Sequence, residues 1–396
     1  MRARLSMLLL AASIGCGAKT PLADLDVLPA VEGSHAALEV ALGSHHTCAR
    51  LTDGAVKCWG AGDHGQLGDR TLESSLVPKR VVELSDVTQL ALGGGHTCAL
   101  RADGTVLCWG DRSVGEVGDG SPLWSSDVPT SVLVPVQVVG LSRATAIAAG
   151  DAHTCARRGD GGVSCWGIND IGELGDEAGE RSSTPQRVSG IASARAIALG
   201  ASHTCALDDG GLVLCWGAND VGQLGTLTTE TCGTYPCSRH AIDLPSLDSV
   251  RGIALGGSTS CVVRDDGSVW CWGHLLEGLV ATPTVVAGMA DAVEVAVGRF
   301  HVCARTSRGE VWCWGSNANG QLGTASIDPC PSGALSCGRA PKRVTALPSV
   351  VQLAVGGDHS CARTSEGDVW CWGANEEGEV GDGTRIDRVA PVKLAL

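Results

Sequence analysis

The sequence predicts an all-β fold, a ring of seven repeated units of about four strands each, and three observations predict it. Trp-Gly steps recur at Trp59, Trp109, Trp166, Trp216, Trp272, Trp314 and Trp372, at roughly the 50-residue period of a propeller-type array and not of independent domains. A pair of cysteines spaced by ten residues precedes or joins every one of these steps. Helical periodicity of useful length is confined to the first residues of the chain.

Each unit begins with a short apolar run such as Leu90-Ala91-Leu92 or Ile197-Ala198-Leu199, apolar on both alternating faces as a strand covered on both sides must be. Its middle residue is always Ala (Ala41, Ala91, Ala148, Ala198, Ala254, Ala296, Ala354), which fits a crowded place near the axis of a ring of sheets. The Gly that follows (Gly43 in the first unit, Gly356 in the last) suggests either a positive φ or close approach by a neighbouring backbone.

The hairpin comes next. The pairs are Cys48 with Cys58, Cys98 with Cys108, Cys155 with Cys165, Cys205 with Cys215, Cys261 with Cys271, Cys303 with Cys313 and Cys361 with Cys371, and a Gly always stands six residues after the first Cys. This Gly, usually preceded by Asp, reads as a turn. If Ala102-Asp103-Gly104 is a three-residue loop with Gly in the left-handed bulge position, Arg101 faces Thr105 and Cys98 faces Cys108. Facing residues are close enough for a disulfide after a small adjustment. A two-residue turn would slip the register and put the sulfurs on opposite faces. After Trp-Gly comes Gly-(Gln/Glu)-(Leu/Val)-Gly, which the fifth unit lacks, and then a final strand introduced by Pro, as at Pro78 and Pro391.

Ahead of the array, Arg2 and Arg4 precede the apolar run Leu5 to Ile14, a pattern that reads as a signal peptide over residues 1–15, too short to span a bilayer stably. Ser13-Ile14-Gly15-Cys16 resembles the lipobox of bacterial lipoproteins, which implies acylation of Cys16 and a lipidated tether over 16–35, with ordinary secretion as the alternative. The array itself fills 36–396. The expected location is therefore outside the cytoplasm, as an outer-membrane or cell-surface lipoprotein.

The cysteine count agrees. Of 19 Cys, 14 belong to the hairpins, Cys232 with Cys237 and Cys330 with Cys337 form two short loop pairs, and Cys16 is left over. An even framework behind a signal peptide implies an oxidising compartment. Neither C-x2-C pairs nor His runs of zinc type occur, so no metal is expected. A net charge of −14 without basic clusters argues against nucleic acid or an anionic membrane as partner.

The consensus Gly-x-x-His-Thr-Cys-Ala-Leu-x-x-Asp-Gly-x-Val-x-Cys-Trp-Gly-x-Asn-x-x-Gly-Gln-Leu-Gly resembles the repeat of the regulator of chromosome condensation family over residues 36–396. The resemblance implies a seven-bladed β-propeller of about four-stranded blades, here with one disulfide hairpin per blade. It also implies, as one alternative function, guanine nucleotide exchange of the kind the family's eukaryotic founder performs. The export signal, paired cysteines and acidic balance argue against that alternative.

Candidate sites are few. His46, His96, His153, His203, His301 and His359 recur two residues before the first Cys, with Thr259 in the fifth unit. Such repetition reads as a buried structural His hydrogen-bonded to backbone rather than a ligand. An extra Trp in the last three units, Trp270, Trp312 and Trp370, reads as packing, with an aromatic surface as the other possibility. Trp-to-Trp intervals of 57, 56 and 58 residues follow units two, four and six, against 50, 50 and 42 after units one, three and five. The extra residues fall in 119–134, 226–243 and 324–342, on one face of a propeller. These loops are either tolerated insertions stapled against proteolysis or a partner-binding rim in which cross-links reduce the entropy lost on binding. Trp124 and Tyr235 are the candidate contacts. No H-E-x-x-H, Walker loop or G-x-S-x-G occurs. The expected function is a monomeric, non-catalytic scaffold without cofactor, tethered to the membrane only through lipid and binding a protein or polysaccharide; an envelope hydrolase with a loop or channel active site is the remaining alternative.

Overall fold

The computed structural model describes residues 36–123, 127–175, 179–275, 278–325 and 337–396. The proposed signal peptide, Cys16 and its tether lie outside the described residues, as do Trp124 and Cys330. From Ser34 onward the chain forms one compact unit. Among the described residues no helix is long and apolar enough to cross a membrane.

Seven antiparallel sheets make the ring, each built from one uninterrupted repeat. The first consists of Ala37–Leu42, His46–Leu51, Val56–Gly60 and Ser75–Arg80, and the last of Val350–Val355, His359–Thr364, Val369–Gly373 and Arg388–Lys393. No strand is exchanged between the two ends of the described chain. The ring closes instead through side chains and loops: the Gln352 amide donates to Val40 O (3.0 Å) and accepts from Val40 N (3.2 Å), and Gly357 N donates to Gly43 O (3.3 Å). In blade four the outer strand Tyr235–Asp243 is extended by the short Thr231–Cys232, giving five strands.

The hairpin register is the one the turn chemistry predicts. Arg101 N donates to Thr105 O, Gly104 has φ of 82°, and Cys98 lies directly opposite Cys108. All seven expected hairpin disulfides are formed across facing positions. Cys48 is bonded to Cys58, Cys98 to Cys108, Cys155 to Cys165 and Cys205 to Cys215. Cys261 is bonded to Cys271, Cys303 to Cys313 and Cys361 to Cys371. In every pair the Cα atoms are 4.1 Å apart, near the separation of a non-hydrogen-bonded antiparallel pair.

Ala41 stands opposite Cys48 on the innermost strand, and Ala91 opposite Cys98. The invariant Ala is thus small because it lies beside a disulfide, a local reason in addition to crowding at the axis. The Gly that follows is needed for close approach and not for a positive φ. A Cβ on Gly43 would meet Gly93 O at 2.5 Å, and one on Gly356 would meet Gly43 O at 2.4 Å, so these glycines touch head to tail around the axis.

The core lies between blades. In six of the seven layers the disulfide and the Leu or Val of the Gly-(Gln/Glu)-(Leu/Val)-Gly turn of one blade pack against the Trp of the next, as Cys205, Cys215 and Leu224 do against Trp272. Trp270 and Trp312 are half-buried and pack against these layers, and Trp270 also stacks under Arg264 at 5.5 Å. These added tryptophans are therefore packing residues and not an open aromatic face.

Candidate binding site

The surface is best read from the joints between blades, because the joints decide which parts are invariant. His46 Nε2 lies 2.8 Å from Thr97 Oγ1 of the following blade; Thr97 Oγ1 donates to Gln66 O, and Trp109 Nε1 donates to the same oxygen, both at 2.9 Å. A carbonyl only accepts, so the hydroxyl spends its proton there and takes the Nε2 proton of a neutral imidazole. The same relay runs from His96 to Thr154, His153 to Thr204, His203 to Ser260, His301 to Ser360 and His359 to Thr47. Each ring is buried, and burial lowers its pKa to about 3 (His46, His153, His203, His301) or about 4 (His96, His359). The histidines are structural, as expected, but their partner is a hydroxyl of the neighbouring blade and not backbone.

The turn that supplies the shared carbonyl is held from within. Glu116 Oε2 accepts from Val114 N and Gln66 Oε1 from His64 N, while Asn219 Oδ1 accepts from Leu224 N (3.1 Å), as Asn169, Asn317 and Asn375 do for Leu174, Leu322 and Val380. Burial raises the pKa of Glu116 to about 7 and that of Glu173 to about 6. Glu379 is instead held below its ordinary value by His45.

The loop between the two inner strands and the loop after Trp-Gly leave each sheet on the same side, so the long loops share a face with the axial mouth. That mouth is a funnel of about 520 Å³ lined by the glycines that follow the innermost strands, with Ser44, His45, Asp151, His274, Arg299 and Phe300 also in its lining. His45 approaches Glu379 at 3.7 Å, and Ser44 Oγ donates to Asp151.

Two of the three long loops are organised by identifiable residues. In blade two Arg112, standing where four other units have Asn, ties Asp119 (2.6 Å), Ser121 (3.2 Å) and Pro129 O (2.6 Å) together; Trp124 falls between these anchors but outside the described residues. In blade four Cys232 and Cys237 are bonded, with Cys232 paired to Tyr235 across a tight hairpin. Tyr235 is 57% exposed, and Leu227 on the same loop is 86% exposed. The sequence reading missed Leu227, whose signal was only an apolar residue in a polar loop. Glu230 stands near both sulfurs, but the disulfide leaves no thiolate for a metal. In blade six Cys337 is buried, while its expected partner Cys330 lies outside the described residues.

One joint departs from the rest. Between blades five and six the imidazole is replaced by Thr259, the receiving hydroxyl by Val302, and the turn is missing, Val269–Leu275 pairing directly with Gly278–Val285. Thr259 Oγ1 donates back to His274 O within its own blade. A cavity of about 390 Å³ opens there.

A ring of seven sheets keyed at six of its joints by a His-hydroxyl-carbonyl relay defines a repeat propeller whose long loops lie on one face. A profile of the RCC1-like domain matches residues 13–282, and profiles of the regulator of chromosome condensation (RCC1) repeat match 308–363 and 366–396, with a second such profile matching 292–321 and 350–379. The chain belongs to the RCC1-like family. It is 28% identical to the ultraviolet-B receptor UVR8 of Arabidopsis thaliana over 374 residues, 90% of this chain and 69% of that protein. Its fold is similar to that of Prp20p from Saccharomyces cerevisiae (TM-score 0.74, 22% identity, 91% of this chain and 88% of that one). The similarity to human WBSCR16 is comparable (TM-score 0.74, 22% identity, 86% and 95%).

Proposed function

We propose that the chain is an exported, membrane-tethered, non-catalytic scaffold that binds a partner protein through its loop-bearing face. The observation that carries this reading is the pairing of a stapled frame with variation restricted to one side. Seven buried hairpin disulfides suit an oxidising compartment, and the blade-four loop that presents Tyr235 and Leu227 is itself cross-linked. Acylation at Cys16 supplies the tether in this reading.

A protein partner is favoured over a polysaccharide by the relatives, since Prp20p is described with binding properties to Gsp1p and histones, and UVR8 as a receptor. Nucleotide exchange itself is not carried over: those likenesses speak for the fold, and the acidic chain with its paired cysteines fits another setting. The test has two arms. Maturation of the precursor should be blocked by globomycin, and the mature protein should capture a partner from its own cell envelope. Tyr235→Ala and Leu227→Ala should each weaken capture at least threefold with an unchanged melting temperature; equal capture by both variants would remove the rim from the proposal.

A further inference from the structure

We infer that the joint between blades five and six is a docking slot for a tight turn of the Gly-(Gln/Glu)-(Leu/Val)-Gly kind, offered by a partner protein. The turn's Leu or Val would fill the cavity, and its backbone carbonyl would accept the Trp314 indole N–H. This deepens the scaffold reading above and rests on it for the existence of a partner.

The other six joints show what the slot accepts. In each, a turn of this chain lies over the next blade's Trp, with its Leu or Val fully buried (Leu67, Val117, Leu174, Leu224, Leu322, Val380). Each of the six indoles donates 2.9 Å to the turn's Gln or Glu carbonyl. At the fifth joint the corresponding walls remain: Cys271, Val286, Val302 and Trp314 stand where Cys215, Leu244, Ser260 and Trp272 enclose Leu224 one joint earlier. The turn is gone, and among the described residues Leu275 of the blade-five hairpin packs against this layer in its place while leaving the cavity open. Trp314 is 8% exposed where the other six are at 0%, and among the described residues its N–H has no partner. The cleft's lining carries exposed apolar side chains, with Val285 and Phe300 51% and 48% exposed.

The motif occurs six times in the sequence, once for each of the other joints. Neither 1–35 nor 326–336 contains a Gly-(Gln/Glu)-(Leu/Val)-Gly sequence, and the six such turns of a second copy are locked in their own joints, their Gln or Glu side chains no more than 2% exposed. On this proposal the occupant is a turn of that kind from another protein. A glycine is required over the indole, because a Cβ on Gly225 would meet Trp272 Nε1 at 2.8 Å.

The probe is a head-to-tail cyclised, fluorescently labelled peptide carrying Asn219 to Thr226 of this chain, titrated against the full mature protein by anisotropy. Saturable binding is expected, weakened at least tenfold when the peptide's Leu is replaced by Ala. Trp314→Phe should weaken it about three- to tenfold, and Val302→Thr, which restores the hydroxyl donor found at other joints, should tighten it by a similar factor. Absence of saturable binding, or equal affinity for wild type and both variants, overturns the slot. Displacement of a bound apolar dye by small molecules but not by the peptide overturns it equally, in favour of a small-ligand pocket. Tyr235→Ala should leave peptide affinity unchanged, so failure of the peptide with intact Tyr235-dependent capture sinks the slot alone. Peptide binding without any envelope capture sinks the rim reading alone.

Discussion

Trp59 Nε1 donates 2.9 Å to the backbone carbonyl of Glu379, 320 residues further along the chain. The bond is the same one that Trp109 makes to Gln66 between consecutive repeats. Closure of the ring is thus one more copy of the ordinary joint, with His359 and Thr47 supplying the relay beside it. Where some rings are locked by sharing a strand between chain ends, this one is locked by a turn that reaches over an indole.

The closing joint should fail when that turn is displaced. A Cβ on Gly381, which has φ of 81°, would meet Trp59 Nε1 at 2.5 Å. Gly381→Val combines left-handed strain with overpacking and is expected to cost about 3 kcal/mol or more. Thermal melts and limited proteolysis check it, the first cut falling at the blade-seven to blade-one joint; a melting temperature equal to wild type would contradict this account of closure.

The hairpin staples should be inert in the native state. Their sulfurs are buried, so a reductant reaches them only through opening of the blade. Mass-spectrometric mapping of thiols labelled in dithiothreitol should find the fourteen hairpin cysteines unmodified in the folded protein until denaturant is added. Replacing Cys205 and Cys215 by Ala should cost about 3 kcal/mol, the chain entropy of a loop of roughly ten residues. Denaturant titration measures the loss.

Acid should destabilise the ring. The six relay histidines have folded pKa values of about 3 to 4 against 6.5 unfolded. Their contribution is fully present above pH 6.5 and is lost as pH falls toward the folded values, because the unfolded chain binds protons that the buried rings refuse. The melting temperature is expected to fall steadily from pH 6.5 to pH 4. His203→Gln should flatten that slope while lowering stability at pH 8.

Glu116 has the opposite sign. Its folded pKa is raised to about 7 by burial, so its favourable contribution is present below about pH 4.5 and disappears as pH rises through 7. Gln66, Gln223 and Gln321 occupy the equivalent position and keep the same turn, their side-chain oxygens accepting from the backbone. Glu116→Gln should therefore stabilise by about 2 to 3 kcal/mol at pH 8 and be nearly neutral at pH 4. Melts at the two pH values, compared with Glu173→Gln, whose shift to about 6 predicts a smaller gain, test the sign directly.

Much of the blade was legible in the linear chain because its determinants are neighbours. The Asp-Gly turn sets the register over five residues on each side, and the register alone brings Cys98 opposite Cys108. The invariant Ala, the Pro-led outer strand and the missing turn of the fifth unit are likewise visible as features of a period or departures from it. What the repeat could not show was direction. Nothing in a single unit says that His46 bonds forward to Thr97, 51 residues away, or that Gln66 O serves two donors from the next blade.

The sequence by itself determined the number of blades, the pairing of the hairpin cysteines and the strand order within a sheet, since all three follow from spacing and turn geometry inside roughly 50 residues. Only the tertiary structure decided how the ring closes, why the histidines are neutral, and that Thr259, Val302 and the absent turn are one event at one joint. Those facts belong to surfaces of neighbouring blades, and a contact between residues so far apart in the chain has no signature until the chain has bent round to make it.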